Sequence, residues 1–221
     1  MNQQQPNNSS IVVIAPHFCT PYQVNLYIAK KVKNVTEGNK LGVFDTNGNN
    51  IFKVTGNLLS SCRMLVDAAR VPLVTLREQR FTLHNRWKVY RGDSSNSENL
   101  LFSVKNSKAL QIKTNLDVFL ASNTNEHICD FKVKQNYSEK SCVVYRGGSG
   151  SENIIAEMHK EKTVQGKVLG KDTFSVTIHP NVDYAFIIAL RVVLDEMNKA
   201  AKRGDSGVGA VSGAVVGVIT A

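Results

Sequence analysis

Long apolar runs are missing: the one from Tyr184 to Leu190 is seven residues and the Gly/Ala/Val-rich one from Val208 is fourteen, where a membrane-spanning helix needs about twenty. Arg191, Asp195 and Glu196 interrupt the longer candidate span from Asp183 to Lys202, and each would cost on the order of 3 kcal/mol at mid-bilayer. Cysteine is equally sparse. Cys19, Cys62, Cys129 and Cys142 are scattered without a C-x-x-C pair, and Cys129 and Cys142, in strand-like runs, read as small buried hydrophobes. The five histidines, His17, His84, His127, His159 and His179, never fall in H-E-x-x-H and never pair with cysteine at zinc spacing. Gly147-Gly148-Ser149-Gly150-Ser151 lacks the order of a nucleophile elbow. Gly207-Val208-Gly209 begins a dinucleotide fingerprint but displaces its third glycine. The expectation is a protein without catalytic residues, metal or cofactor.

The opening Met1–Asn8 is polar and has neither the charged start nor the apolar run of a signal peptide. Asn2 stands where myristoylation needs glycine. A cytoplasmic protein is expected, peripheral at the inner membrane face or partly nuclear. Residues 1–10 read as a disordered polar lead, 11–203 as one domain, and the Gly/Ala/Val-rich 204–221 as a loose tail.

What the chain does contain is short alternating segments with turn signals every eight to fifteen residues, the pattern of an all-β sandwich or barrel. Val24, Leu26 and Ile28 alternate with Asn25, Tyr27 and Ala29; Phe174, Val176 and Ile178 alternate with Thr173, Ser175 and Thr177. Asn47-Gly48 between two such runs is a hairpin signal. Val89-Tyr90-Arg91-Gly92, a Ser-rich connector and Glu98-Asn99-Leu100-Leu101 recur as Val144-Tyr145-Arg146-Gly147, a Gly/Ser connector and Glu152-Asn153-Ile154-Ile155.

One segment is helical. From Tyr184 to Leu194 only Arg191 is charged, and a helix apolar on all sides must be surrounded. Phe186, Ile187, Leu190, Val193 and Leu194 are its expected core residues. Asn181 or Asp183 can cap its start. Arg191, Asp195, Asn198 and Lys202 form one polar stripe on which its second half should emerge, and Gly204 should stop it near residue 202. Arg191 is expected to pair with Asp195 one turn on. Ten to twelve strands and one such helix are best satisfied by a barrel closed around it, which also removes exposed edges.

Asp183-Tyr184-Ala185-Phe186-Ile187-Ile188-Ala189-Leu190 with Leu194-Asp195-Glu196, and Thr173-Phe174-Ser175-Val176 ahead of it, resembles the closing signature of plant LURP-one-related proteins. Cys19-Thr20-Pro21-Tyr22, Phe44-Asp45-Thr46-Asn47-Gly48-Asn49 and Trp87-Lys88-Val89-Tyr90-Arg91-Gly92 fit the same pattern over residues 11–203. The resemblance implies the fold of the Tubby C-terminal domain and of phospholipid scramblases: a mainly β, closed, roughly twelve-stranded antiparallel barrel enclosing a central hydrophobic helix. It also implies membrane tethering through phosphoinositide headgroups, a link to transcription, and a role in plant defence. No scramblase-like acidic calcium loop is present.

The formal charge is +9, which favours anionic partners. No acid precedes Glu37, while Lys31 and Lys33 lie in that opening. Strand parity sets Arg86 and Lys88 opposite Trp87 and Val89, and Lys132 and Lys134 opposite Phe131 and Val133, so these cations should project outward. Lys31, Lys33, Arg86, Lys88, Lys132 and Lys134 are the headgroup candidates. Nucleic acid is disfavoured, because the lone Trp87 points inward instead of offering a stacking platform. The leading expectation is a monomeric, membrane-tethered regulator of anionic lipid. The alternative is a protein-interaction scaffold in defence signalling.

Overall fold

The structure is a computed structural model that describes residues 10–29, 41–56, 61–79, 85–107, 115–136, 140–147, 153–161 and 173–208, with side chains as far as Ala201. Twelve strands form among the described residues. The first six are β1 (Val24–Ala29), β2 (Leu41–Phe44), β3 (Asn50–Thr55), β4 (Cys62–Asp67), β5 (Pro72–Gln79) and β6 (Arg86–Arg91). The others are β7 (Leu100–Asn106), β8 (Leu116–Leu120), β9 (Phe131–Asn136), β10 (Ser141–Arg146), β11 (Ile154–Lys160) and β12 (Phe174–Ile178). Each pairs antiparallel with its neighbour in sequence, and β1 pairs with β12 through Leu26↔Val176, so the sheet closes into a barrel. Closure leaves no unpaired edge to template aggregation.

Alternation along the strands sends one side chain in two to the interior. Val43, Phe52, Leu65, Leu76, Val89, Phe102, Val118, Val144 and Val176 are buried there, and Trp87 at 3% exposure points inward as its parity requires. Helix α1 (Tyr184–Val208) fills the lumen. Phe186, Ile187, Leu190, Val193 and Leu194 are all at most 1% exposed. Phe186 packs edge-on to Phe102, with ring centroids 5.1 Å apart, and lies 4.9 Å from Phe131.

Two expectations about this helix need correction. Its backbone continues through Gly204 and Gly207 to Val208 instead of ending near residue 202; glycine weakens a helix by about 1 kcal/mol but does not forbid it. The first half of the polar stripe also stays inside: Arg191 and Asp195 are 6% and 8% exposed, while Asn198 is partly exposed. Burial is tolerated because the charges are met. Arg191 reaches Asp195 at 3.9 Å and stacks on Phe174 at 4.2 Å, while Lys199 holds Asp195 at 2.8 Å. Emergence comes later, after Met197.

Asp183 starts the helix. Its Oδ1 accepts the Phe186 amide at 3.0 Å, a helix N-cap. Its Oδ2 accepts three consecutive amides, of Val13, Ile14 and Ala15, at 3.1, 2.6 and 3.1 Å. One carboxylate, fully buried, thereby fastens the segment before β1 across the mouth of the barrel, where Ile14 and Phe18 join the core. Arg91 adds a hydrogen bond to the Ile14 carbonyl at 2.6 Å.

The repeated sequence is repeated structure. β6–β7 and β10–β11 each shift register at the same place, between Val89 and Tyr90 and between Val144 and Tyr145. Each is followed by a glycine at φ +62°, Gly92 and Gly147. Bulges at a barrel rim re-aim the chain into its turn, and glycine adopts the left-handed conformation without a Cβ penalty. Cys129 is an exception to its strand-like reading: it lies half-buried in the β8–β9 connection. Cys142 is buried in β10, which pushes its thiol up to about 11.

Candidate functional site

The outer surface of β5 to β9 carries most of the predicted headgroup cations, and register fixes their arrangement. Lys88 on β6 lies directly across from Arg77 on β5 and Ser103 on β7. Lys105 on β7 faces Asp117 on β8, which faces Lys132 on β9. Lys31 and Lys33 lie outside the described residues.

Two of the predicted cations are already engaged. Arg86 makes a two-pronged ion pair with Glu126, its Nη1 and Nη2 lying 2.5 and 2.6 Å from Oε1 and Oε2. Lys105 Nζ approaches Oε2 at 3.3 Å, and the Ser103 hydroxyl lies 3.2 Å from both Arg86 Nη1 and Oε1. The Arg86 hydrogen bond, against burial, holds the Glu126 carboxyl down to about 2. Lys132 sits 2.7 Å from Asp117; burial pulls its ammonium down, and the Asp117 carboxylate outweighs this and raises it.

Lys88 and Lys134, and with them the unpredicted Arg77, meet no carboxylate among the described residues. Lys134 is exposed, with its ammonium 5.5 Å from the centre of the Tyr145 ring. Arg77 is exposed and Lys88 half-buried, and no carboxylate among the described residues makes an ion pair with either. Like charges placed directly opposite across a ladder repel by several tenths of a kcal/mol, about 0.2–1. Arg77 was within reach of sequence reasoning, since Leu76 and Arg77 alternate in the run that forms β5; its partner across the ladder was not.

Glu126 was missed because it lies on no strand. It belongs to residues 121–130, which turn back over the outer face after β8. Asp130 fixes that turn by accepting the Leu120 amide and the Asn123 side chain at 2.9 and 2.8 Å. Beneath it, Ser103 and Phe119 are buried on what would otherwise be solvent-facing positions. Lys105 lies 4.4 Å over the Phe119 ring.

Arg63 was also missed. It points inward beside Leu65 on β4 and meets Glu196 on the helix at 2.6 Å. Burial raises the Glu196 carboxyl, but the bonds from Arg63 and Lys199 outweigh it and bring it below its ordinary value. Among the described residues no group of three His, Cys, Asp or Glu side chains is placed to hold a metal ion, and no helix is long and apolar enough to cross a membrane.

A closed antiparallel sheet threaded by its own terminal helix, with cations ordered in rows on the outside, defines a helix-cored β-barrel protein. The chain belongs to the LURP-one-related family, whose model matches residues 24–195. It is 48% identical over 190 residues to protein LURP-one-related 15 of Arabidopsis thaliana, covering 85% of this chain and 86% of that protein. Protein LURP1 from the same plant is 44% identical over 199 residues, covering 89% and 93%. An X-ray structure of an Arabidopsis thaliana protein, 42% identical, superposes with a TM-score of 0.65 over 85% of this chain and 98% of that one.

Proposed function

We propose that the protein is a non-catalytic binding module that tethers reversibly to membranes by recognising anionic, phosphate-bearing lipid headgroups, phosphoinositides among them. It acts as a monomeric regulator at the cytoplasmic membrane face, linked to transcription as Tubby-type barrels are and serving in plant defence. The observation that carries this reading is the Arg77–Lys88 pair: two outward cations in direct register, with no carboxylate among the described residues ion-paired to either. A phosphate would relieve their repulsion by charge-assisted hydrogen bonds, the guanidinium clamping two oxygens. Lys134, two strands beyond Lys105 on the same exterior, extends the positive field.

Each cation near an anionic bilayer contributes about 1 kcal/mol. Sedimentation with phosphatidylcholine vesicles, with and without a phosphoinositide, tests the proposal at low and high salt. Arg77→Ala/Lys88→Ala is expected to weaken phosphoinositide-dependent partition roughly thirtyfold, and added salt to weaken the wild type through screening. No lipid-dependent partition at low salt would remove the reading.

The second reading, a protein-interaction scaffold in defence signalling, is favoured by Ile128. This side chain is 79% exposed on the same connection that Glu126 and Asp130 fasten. Binding partners that survive Arg77→Ala/Lys88→Ala but are lost with Ile128→Asp would select it.

A further inference from the structure

Arg86, Lys105 and Ser103 converge on one carboxylate in the manner in which proteins hold a phosphate: a guanidinium fork, an ammonium and a hydroxyl around a compact oxyanion. The oxyanion is supplied from within, by Glu126. Three features set this pair apart from an ordinary surface salt bridge. First, Glu126 is brought from a loop and not from a neighbouring strand. Second, its backbone is left-handed, at φ +49°. A residue with a Cβ adopts that conformation at a cost and keeps it where the surroundings impose it, often at a switch. Third, the cations it neutralises border the open pair directly. Arg86 is two residues from Lys88 on the same face of β6, and Ser103 is the cross-strand partner of Lys88.

We infer that Arg86, Lys105 and Ser103 form a phosphate-binding site held shut by Glu126 as an internal stand-in for the ligand, so that the β8–β9 connection is an autoinhibitory strap over a basic patch. An incoming phosphate monoester displaces the carboxylate, takes its place on the guanidinium fork and joins Arg86 and Lys105 to Arg77 and Lys88. With the strap down, only the outer pair is available. With it lifted, four cations face one anionic surface. The exchange is one anion for another, and no covalent bond is made or broken. This deepens the headgroup reading and rests on it for the class of ligand, though not for the geometry.

Glu126→Gln keeps the side-chain shape and removes the competing charge. It is expected to bind phosphoinositide vesicles about thirtyfold tighter than the wild type, two further cations being released. Adding Arg86→Ala should cancel that gain. Glu98→Gln, which adds the same unit of charge on an exposed turn, measures the general electrostatic effect and should fall well short. Equal binding by Glu126→Gln and wild type, or a gain matched by Glu98→Gln or untouched by Arg86→Ala, overturns the strap. If the wild type binds and Glu126→Gln merely equals it, the headgroup reading stands and the strap falls.

Titration with inositol hexakisphosphate in solution separates the two sources of phosphate. A gain there as well as on vesicles shows that the strapped site takes phosphate from either source; a gain on vesicles alone ties it to the membrane. A measurement on the wild type alone makes the test independent of whether the variant folds. Saturating inositol hexakisphosphate should speed amide exchange across residues 121–130, because the strap is released; slower exchange there would overturn the displacement.

Discussion

Four amides converge on Asp183, one from the helix it caps and three from the segment that closes the barrel mouth. Hydrogen bonds to a charged group contribute more than neutral ones, and a buried donor left unmet adds its own penalty. Asp183→Ala should therefore lower stability by about 3–4 kcal/mol, read as a fall in urea midpoint at unchanged slope. Glu126 gives a pH prediction whose sign follows from its depressed titration. Its carboxyl titrates near 2 when folded, against an ordinary value of 4.5. The ion pair thus stabilises the fold above about 4.5, and that contribution is lost as the pH falls towards 2. The stability gap between wild type and Glu126→Gln should be widest near neutrality and shrink across that window in denaturant titrations.

At the scale of the element, the helix is a plug whose two halves are satisfied by different physics. Leu190 is buried in the apolar core, and Leu190→Ala should cost about 3–4 kcal/mol through lost transfer energy and a residual cavity, measured by calorimetry. Around Glu196 the contact is ionic. Removing Arg63 leaves a largely buried carboxylate with Lys199 alone, so Arg63→Ala should cost about 3 kcal/mol, whereas Arg63→Met with Glu196→Leu should come close to wild type. The hairpins make a parallel case. Nothing lies within 4 Å of a Cβ built on Gly92, so Gly92→Ala reports backbone strain alone, about 1–2 kcal/mol. Gly92→Asn should be milder, because asparagine tolerates the left-handed region.

For the molecule as a whole, the net charge of +9 is a poor guide to where an anion docks, since the cations are not equally available. Arg86 and Lys132 face carboxylates, while Arg77, Lys88 and Lys134 meet none among the described residues. The wild type's vesicle affinity should accordingly follow Arg77 and Lys88, and Lys132→Ala should change it by less than twofold, about 0.4 kcal/mol or under; comparing the two variants in one sedimentation series checks this. Outward projection was legible because strand parity is a period of two that any alternating run displays, as Trp87 against Lys88 does. The neutralising partners were not legible, because Glu126 and Asp117 meet their cations across strands and loops whose adjacency no local period encodes.

By itself, the sequence determined that a helix carrying one charge from Tyr184 to Leu194 could not face water, and that alternating strands had to enclose it. Both follow from the cost of exposing apolar surface, which is local and additive along the chain. Only the tertiary structure decided that the polar stripe of Arg191 and Asp195 stays within the barrel, that Asp183 ties the mouth shut, and that Glu126 covers Arg86. Those outcomes depend on which opposite charge or amide arrives within about 3 Å of a given group, a matter settled by closure of the ring and not by any stretch of residues read alone.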